Sequence, residues 1–125
     1  MGGTCGIVPY LTYTNAAAAV DFLQRAFGLE LIARFDDDQG RVMHAELRHG
    51  NGILMLGHRT GNLPDNCDGI YLSVDAIEGI FEQATSAGAT VLESPRDAEF
   101  GSRRCKLADL EGREWSIGTY HPGEI

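Results

Sequence analysis

The sequence lacks the positive charge that a nucleic-acid-binding protein needs. Its 125 residues include 10 lysine and arginine side chains against 18 aspartate and glutamate side chains, which gives a formal net charge of -8. Because contact with a phosphate backbone depends on a basic surface, we do not expect nucleic acid as a partner. The acidic field would instead favour a cationic small molecule at long range.

Long apolar runs and cysteine are also scarce. No apolar run approaches the roughly 20 residues that a membrane-spanning helix requires, and the first residues do not resemble a signal peptide. The chain has three cysteines, an odd number, and no two of them have the spacing of a CxxC motif; they are Cys5, Cys67 and Cys105. We therefore expect neither a disulfide framework nor a membrane partner, and the composition predicts a cytoplasmic protein.

Two stretches of the chain share one pattern, sixty residues apart. Asn15 and Asp75 each precede a helical pattern, and Gly28 and Gly88 each follow it. A polar residue before a helix can cap its N-terminus, and glycine is common where a helix ends. A repeat of this size in so short a chain indicates two fused supersecondary units, and we expect a cleft between them.

Each repeat is predicted to fold as βαβββ. Hydrophobic periodicity and turn residues predict strands at 7–13, 29–35, 41–48 and 53–56 and a helix at 16–27, and then strands at 70–74, 89–93, 102–108 and 113–119 and a helix at 76–87. A longer loop is expected at 94–101. The fold class is α+β in one domain, 1–125, with module one at about 6–58, a linker at about 59–68 and module two at about 69–120.

Strand alternation predicts which side chains face the cleft. His44 and Glu46 are two residues apart on one strand and point the same way, so they are the candidate catalytic pair. A structural or ligand-binding role is the alternative. The predicted ligand-binding residues are Tyr10, Thr12, His44, Glu46, Leu54, Leu56, Tyr71, Ser73, Phe100, Arg103, Arg104, Glu114 and Ser116.

Several of these residues allow two interpretations. Tyr10 and Tyr71 occupy matching first-strand positions, where they could stack on a ring-bearing ligand or simply line a cavity. Arg103 and Arg104 could clamp an anionic ligand or form surface salt bridges. Cys105 shares the face of an apolar neighbour, which predicts a buried and unreactive thiol.

The order of motifs resembles the vicinal oxygen chelate superfamily, which includes glyoxalase I, extradiol dioxygenases and bleomycin and fosfomycin resistance proteins. The similar segments are Val8–Tyr13, Ala19–Leu23, Val42–Leu47, Ile53–Leu56, Tyr71–Asp75, Phe100–Arg103 and Asp109–Ser116, and several match its PhnB-like branch. The resemblance implies the glyoxalase/bleomycin resistance/dihydroxybiphenyl dioxygenase fold, with curved mixed sheets and one helix per module. It also implies a homodimer with cavities built across modules or subunits.

The same resemblance implies metal ligands on the first and last strand of each module, and those positions hold Val8, Leu56, Gly69 and Ser116. Divalent metals need about three or four imidazole or carboxylate donors, which these residues do not supply. A shift by one residue adds Asp68 but leaves the other positions without donors. We therefore expect no metal site and no cofactor.

Two functions follow as hypotheses. The first is metal-free binding or sequestration of a small molecule, with a cationic, antibiotic-like compound as one candidate. The second is a lyase, isomerase or other enzyme of the superfamily that uses His44 and Glu46, with or without a divalent metal.

Overall fold

The chain forms two βαβββ units in sequence. A computed structural model describes residues 6–63 and 69–123. Its elements are β1 Tyr10–Tyr13, α1 Ala16–Phe27, β2 Glu30–Asp36, β3 Val42–His49, β4 Gly52–His58, β5 Ile70–Ser73, α2 Glu78–Ser86, β6 Thr90–Asp97, β7 Arg103–Ala108 and β8 Glu114–Gly118, with a short 3-10 turn at Glu99–Gly101. The predicted α+β fold of two tandem modules is confirmed.

Each unit contains one four-stranded mixed sheet. The strand orders are β1-β4-β3-β2 and β5-β8-β7-β6, so the second sheet repeats the topology of the first. In both sheets the first strand pairs in parallel with the last strand, and the other pairs are antiparallel. The described residues form two compact units, one of residues 6–24 and 28–62 and the other of residues 25–27, 63 and 69–123.

The first helix begins and ends where its sequence predicts. The side chain of Asn15 accepts a hydrogen bond from the backbone amide of Ala18 at 3.1 Å, and Gly28 ends the helix with φ of 69°. This left-handed conformation costs little for glycine because it has no Cβ. The buried stripe of α1 includes Phe22 and Leu23, both fully buried.

The second helix is shorter than predicted, because it begins at Glu78 rather than at Ala76. Asp75 is not its cap: Ile77 occupies that position and makes no side-chain cap bond. Ile77 is fully buried. Burial of this apolar residue therefore stabilises the start of α2, where an exposed helix would usually have a polar cap.

The sixth strand is longer than predicted, since it continues through Pro95 to Asp97. A proline inside a strand usually argues against it because the ring removes a backbone donor. Here β6 is the edge of its sheet, and its pairing with β7 is irregular between Glu93 and Arg96. An edge strand with an irregularity accommodates the missing N–H, so the predicted loop at 94–101 is reduced to the residues after Asp97.

Two hairpin turns have the same construction. Asp37 and Asp109 each use one carboxylate oxygen to accept a backbone N–H bond from the residue four positions later, at 2.9 Å from Arg41 and 3.0 Å from Arg113. The second oxygen differs in partner: at Asp37 it accepts from the Arg41 side chain, and at Asp109 it accepts from the indole of Trp115 at 2.9 Å. The Asp109 turn is therefore tied to the buried core of the second unit.

Candidate functional site

Each sheet has a buried face and a face of partly exposed residues, which we call the open face. On the first sheet, Tyr10 pairs with Met55, Glu46 with Met55, and His44 with Gly57. Paired residues lie side by side on one face of a sheet. Tyr10, Thr12, His44 and Glu46 therefore share the open face, as strand alternation predicts.

The placement of Leu54 and Leu56 with those residues is wrong. Leu54 pairs with Leu47 and Leu56 with Ala45, so both leucines lie on the opposite, buried face. Leu56 is fully buried and Leu54 is nearly so. The correction follows from alternation itself: β4 presents Ile53, Met55 and Gly57 to the open face, one residue out of step with the prediction.

A tyrosine lies over a glycine on each open face. A Cβ built at Gly57 would overlap the hydroxyl of Tyr10, and a Cβ built at Gly118 would lie 2.6 Å from the hydroxyl of Tyr71. Only glycine leaves room for these rings in their observed positions. The predicted equivalence of Tyr10 and Tyr71 therefore extends to the glycines beneath them.

His44 and Glu46 are in direct contact. Nε2 of His44 lies 2.9 Å from Oε2 of Glu46, and both side chains are about one-third exposed. The ring of Phe35 lies beside His44, with 5.9 Å between the ring centroids. The pair is thus a short imidazole–carboxylate contact on an accessible surface, a geometry that can hold and transfer a proton.

The open face of the second sheet carries different chemistry. Tyr71 pairs with Ser116, and Arg104 pairs with Gly118. Ser73 lies opposite Gly118 on the same face. Arg104 occupies the position of β7 that His44 occupies in β3, since both pair with the glycine that lies under a tyrosine.

Glu114 also lies on this face. Its Oε2 is 3.6 Å from Nζ of Lys106, and the two residues are about equally exposed. A pair this exposed contributes little stability, on the order of 1 kcal/mol or less. Glu114 therefore lies on the predicted face, where its carboxylate is paired with Lys106.

One end of this open face forms a pocket of about 130 Å³. Its lining includes four of the predicted ligand-binding residues and two others: Tyr71, Phe100, Arg103, Arg104, Gly118 and Tyr120. The hydroxyl of Tyr71 donates a 2.6 Å hydrogen bond to the carbonyl of Tyr120. Burial is the main cause that raises the pKa of Tyr71 above its ordinary value, so the hydroxyl stays protonated as a donor.

The two arginines of the pocket are each held by carboxylates. The guanidinium of Arg103 contacts Glu78 of α2 and lies 3.1 Å from Asp97. The hydrogen bond from Arg103 lowers the pKa of Glu78. Nε of Arg104 lies 3.4 Å from Glu93, at the edge of ion-pair distance. These are therefore salt-bridged arginines that also border a pocket, and their role as a clamp for an anionic ligand stays a prediction.

The four positions implied for metal ligands do not fit a metal. In the first module the equivalent of Ser116 is Met55 rather than Leu56, because Tyr10 pairs with Met55 as Tyr71 pairs with Ser116. A Cβ at Gly69 would overlap the backbone carbonyl of Glu114, so that position has no room for a donor side chain. Val8 carries no donor, and Asp68 lies outside the described residues.

Within residues 6–63 and 69–123, no group of three or more histidine, cysteine, aspartate or glutamate residues is arranged to hold a metal ion. Among the same residues, no helix has the length and apolar character needed to cross a membrane. Cys105 is fully buried, and burial raises the pKa of its thiol to about 11. Such a thiol is a poor nucleophile at neutral pH, in agreement with the prediction.

One residue of the pocket and one residue of the core were not predicted from sequence. Tyr120 lies in a tail without a periodic pattern, and it reaches the pocket through its contacts with Tyr71 and Phe100. Asp109 was assigned only to a turn, although it is buried and accepts from the Trp115 indole. The recurrence of aspartate, glycine and arginine at 37, 40 and 41 and again at 109, 112 and 113 is the signal that could have revealed the turn construction.

Comparison with known proteins agrees with the fold. An uncharacterized protein of Mycobacterium bovis is 32% identical, and the match covers 88% of this chain and 80% of that protein. An uncharacterized protein of Mycobacterium tuberculosis (strain ATCC 25618 / H37Rv) is also 32% identical, with 88% and 71% covered.

Among solved structures, TioX from Micromonospora sp. ML1 is similar, with a TM-score of 0.81 and 29% identity over 96% of this chain and all of TioX. The fosfomycin resistance protein FosX from Mesorhizobium loti has a TM-score of 0.72 at 12% identity, covering 94% of this chain and 93% of FosX, which is a likeness of fold alone. The family model described as Glyoxalase/Bleomycin resistance protein/Dioxygenase superfamily matches residues 7–117. The chain therefore belongs to the glyoxalase/bleomycin resistance protein/dioxygenase superfamily.

Proposed function

We propose that this protein binds a small organic molecule without a metal, on the open face of its second sheet. The pocket between Tyr71, Arg104 and Tyr120 is the observation that carries the proposal. It combines aromatic walls with a few polar groups, which is the usual composition of a small-molecule site. The positions implied for metal ligands hold Val8, Met55, Gly69 and Ser116, which offer few donor atoms to a metal. This supports ligand binding rather than metal-assisted chemistry.

The pocket and the net charge favour different ligands. A net charge of -8 attracts cations from a distance, which is the basis for proposing a cationic, antibiotic-like ligand. At the pocket itself, Arg103 and Arg104 contact carboxylates and Glu99 adds another acidic residue to the lining, so the two arginines give the pocket no surplus of positive charge. Shape and aromatic contact therefore decide the ligand more than charge does. The PhnB-like branch and a cleft across modules or subunits stay predictions.

The test combines metal analysis with a ligand screen. We expect purified protein to hold no stoichiometric Zn, Ni, Fe or Mn, and we expect at least one compound of a small-molecule library to raise the melting temperature. Tyr71→Ala should weaken that compound's binding, whereas Tyr10→Ala, the equivalent change over Gly57, should not. One tightly held metal per chain, or equal effects of the two substitutions, would contradict the proposal.

The contact between His44 and Glu46 favours a second candidate, an enzyme with this pair as its acid and base. We would assay isomerisation of 2-oxoaldehyde–thiol adducts with and without divalent metals. Turnover that is lost in His44→Gln, while the fold is kept, would replace the binding proposal. No turnover by the native protein under any of these conditions would eliminate this candidate for that substrate class.

A further inference from the structure

The residue Phe100 is held in a conformation that side chains avoid. Its φ is 62°, and it is the one non-glycine residue with positive φ within residues 6–63 and 69–123. For a bulky residue this conformation is strained, because Cβ approaches the backbone. Strain of this kind is often retained at binding sites, where surrounding structure and function hold it in place.

The strained residue Phe100 also exposes its aromatic ring to solvent. Phe100 is 83% exposed, the second highest exposure among the large apolar residues described. Its ring faces Tyr120, with centroids 5.7 Å apart and planes at 34°. Folding alone does not explain this arrangement, since neither the exposed ring nor the strained backbone stabilises the chain by burial.

Polar groups border the same pocket. Tyr120 is fixed by the hydrogen bond from Tyr71, so one wall of the pocket is anchored to β5. Nε of Arg104 is a buried atom without a hydrogen bond among the described residues, and its contact with Glu93 at 3.4 Å is long. The Arg104 side chain is nevertheless 29% exposed and lines the pocket, so the exposed part of its guanidinium can donate to a ligand oxygen there.

From these contacts we infer that Phe100 determines specificity, and that with Tyr120 it selects a planar aromatic ligand bearing an oxygen acceptor. This inference rests on the proposed binding function and names its ligand class. An engineered apolar cavity of about 150 Å³ holds one benzene ring. A pocket of about 130 Å³ therefore accepts a single ring, with the rest of the ligand projecting along the open face.

The probes are 2-naphthoate and its saturated counterpart, decahydro-2-naphthoate, titrated into the full chain and followed by amide chemical shifts. They share charge and carbon skeleton and differ in planarity. We expect 2-naphthoate to bind at least fivefold tighter and to shift the amides of Phe100, Gly101 and Tyr120. Phe100→Leu keeps apolar bulk and should reduce that preference about two- to thirteenfold, the range of one aromatic pair. Phe35→Leu alters the exposed aromatic residue beside His44 and should change nothing.

A second variant separates ligand selection from a structural role. Phe100→Gly removes the ring and relieves the positive φ, so the melting temperature should stay constant or rise while the preference for 2-naphthoate disappears. A melting temperature lowered by several degrees would mean that the ring only supports the loop, which overturns the inference. Equal affinity for the two probes, or an unchanged preference in Phe100→Leu, would overturn it as well. If library compounds still bind and depend on Tyr71, the proposed binding function survives those results.

Discussion

The buried carboxylate of Asp109 should be among the most sensitive positions of the second unit. It is 5% exposed and accepts three hydrogen bonds, from the backbone amides of Glu111 and Arg113 and from the indole of Trp115. Asp109→Ala leaves these donors without their acceptor. The Arg113 amide and the indole are buried, so water cannot replace the acceptor without rearrangement.

The size of the loss follows from the bonds. A hydrogen bond to a charged group contributes about 1.5–3 kcal/mol, and bonds that share one acceptor are not additive. We expect the free energy of unfolding to fall by about 3–5 kcal/mol, which is less than the sum of three such bonds. At about 4 °C per kcal/mol for a chain of this size, the melting temperature should fall by roughly 12–20 °C.

Urea unfolding followed by the fluorescence of Trp115 measures this loss, since that tryptophan is the single one in the chain. Asp37→Ala is the matched control: it removes the same turn bonds where the carboxylate is partly exposed and has no indole partner. Its loss should be clearly smaller. If the two substitutions destabilise the protein equally, then burial and the indole contact are not what makes Asp109 important.

Four further outcomes are expected. In a Cys5→Ser/Cys67→Ser background, Cys105 should resist a thiol reagent at pH 8 until denaturant is added, because its pKa is about 11; rapid labelling of the folded protein would contradict this. Gly118→Ala should cost about 1–3 kcal/mol by crowding the hydroxyl of Tyr71, and this cost should vanish in a Tyr71→Ala background. Because the pKa of Tyr71 is raised, its contribution to stability is present below its ordinary pKa of 10.0 and is lost as pH rises above it, which Tyr71→Phe should not show. Light scattering should give a dimer mass at micromolar concentration, and a monomer mass would contradict the predicted homodimer.

Local signals predicted the elements well where local interactions decide them. The cap at Asn15 and the left-handed Gly28 depend on a few neighbouring residues, and both are confirmed. The start of α2 at Glu78 depends instead on the burial of Ile77, which the sequence pattern does not reveal. Pro95 could be read as a strand breaker because its position at a sheet edge is known only from the topology.

Strand alternation predicted which residues share the open face, but it did not predict the pocket. Alternation placed His44 and Glu46 together, but it misplaced Leu56 by one residue. The cause is physical: His44 pairs with Gly57, 13 residues later, whereas Arg104 pairs with Gly118, 14 residues later, so the offset between equivalent residues changes from 60 on β3 and β7 to 61 on β4 and β8. The contact of Tyr120 with Phe100 joins a tail to a loop, and no periodic pattern connects such segments.

The position of Gly69 has a consequence for any attempt to engineer a metal site into this chain. Because a Cβ there would overlap the carbonyl of Glu114, a histidine could enter only after β8 had moved. A metal ligand at position 69 therefore needs a change in the backbone of β8 as well as a change of side chain, so a single substitution there cannot supply a donor.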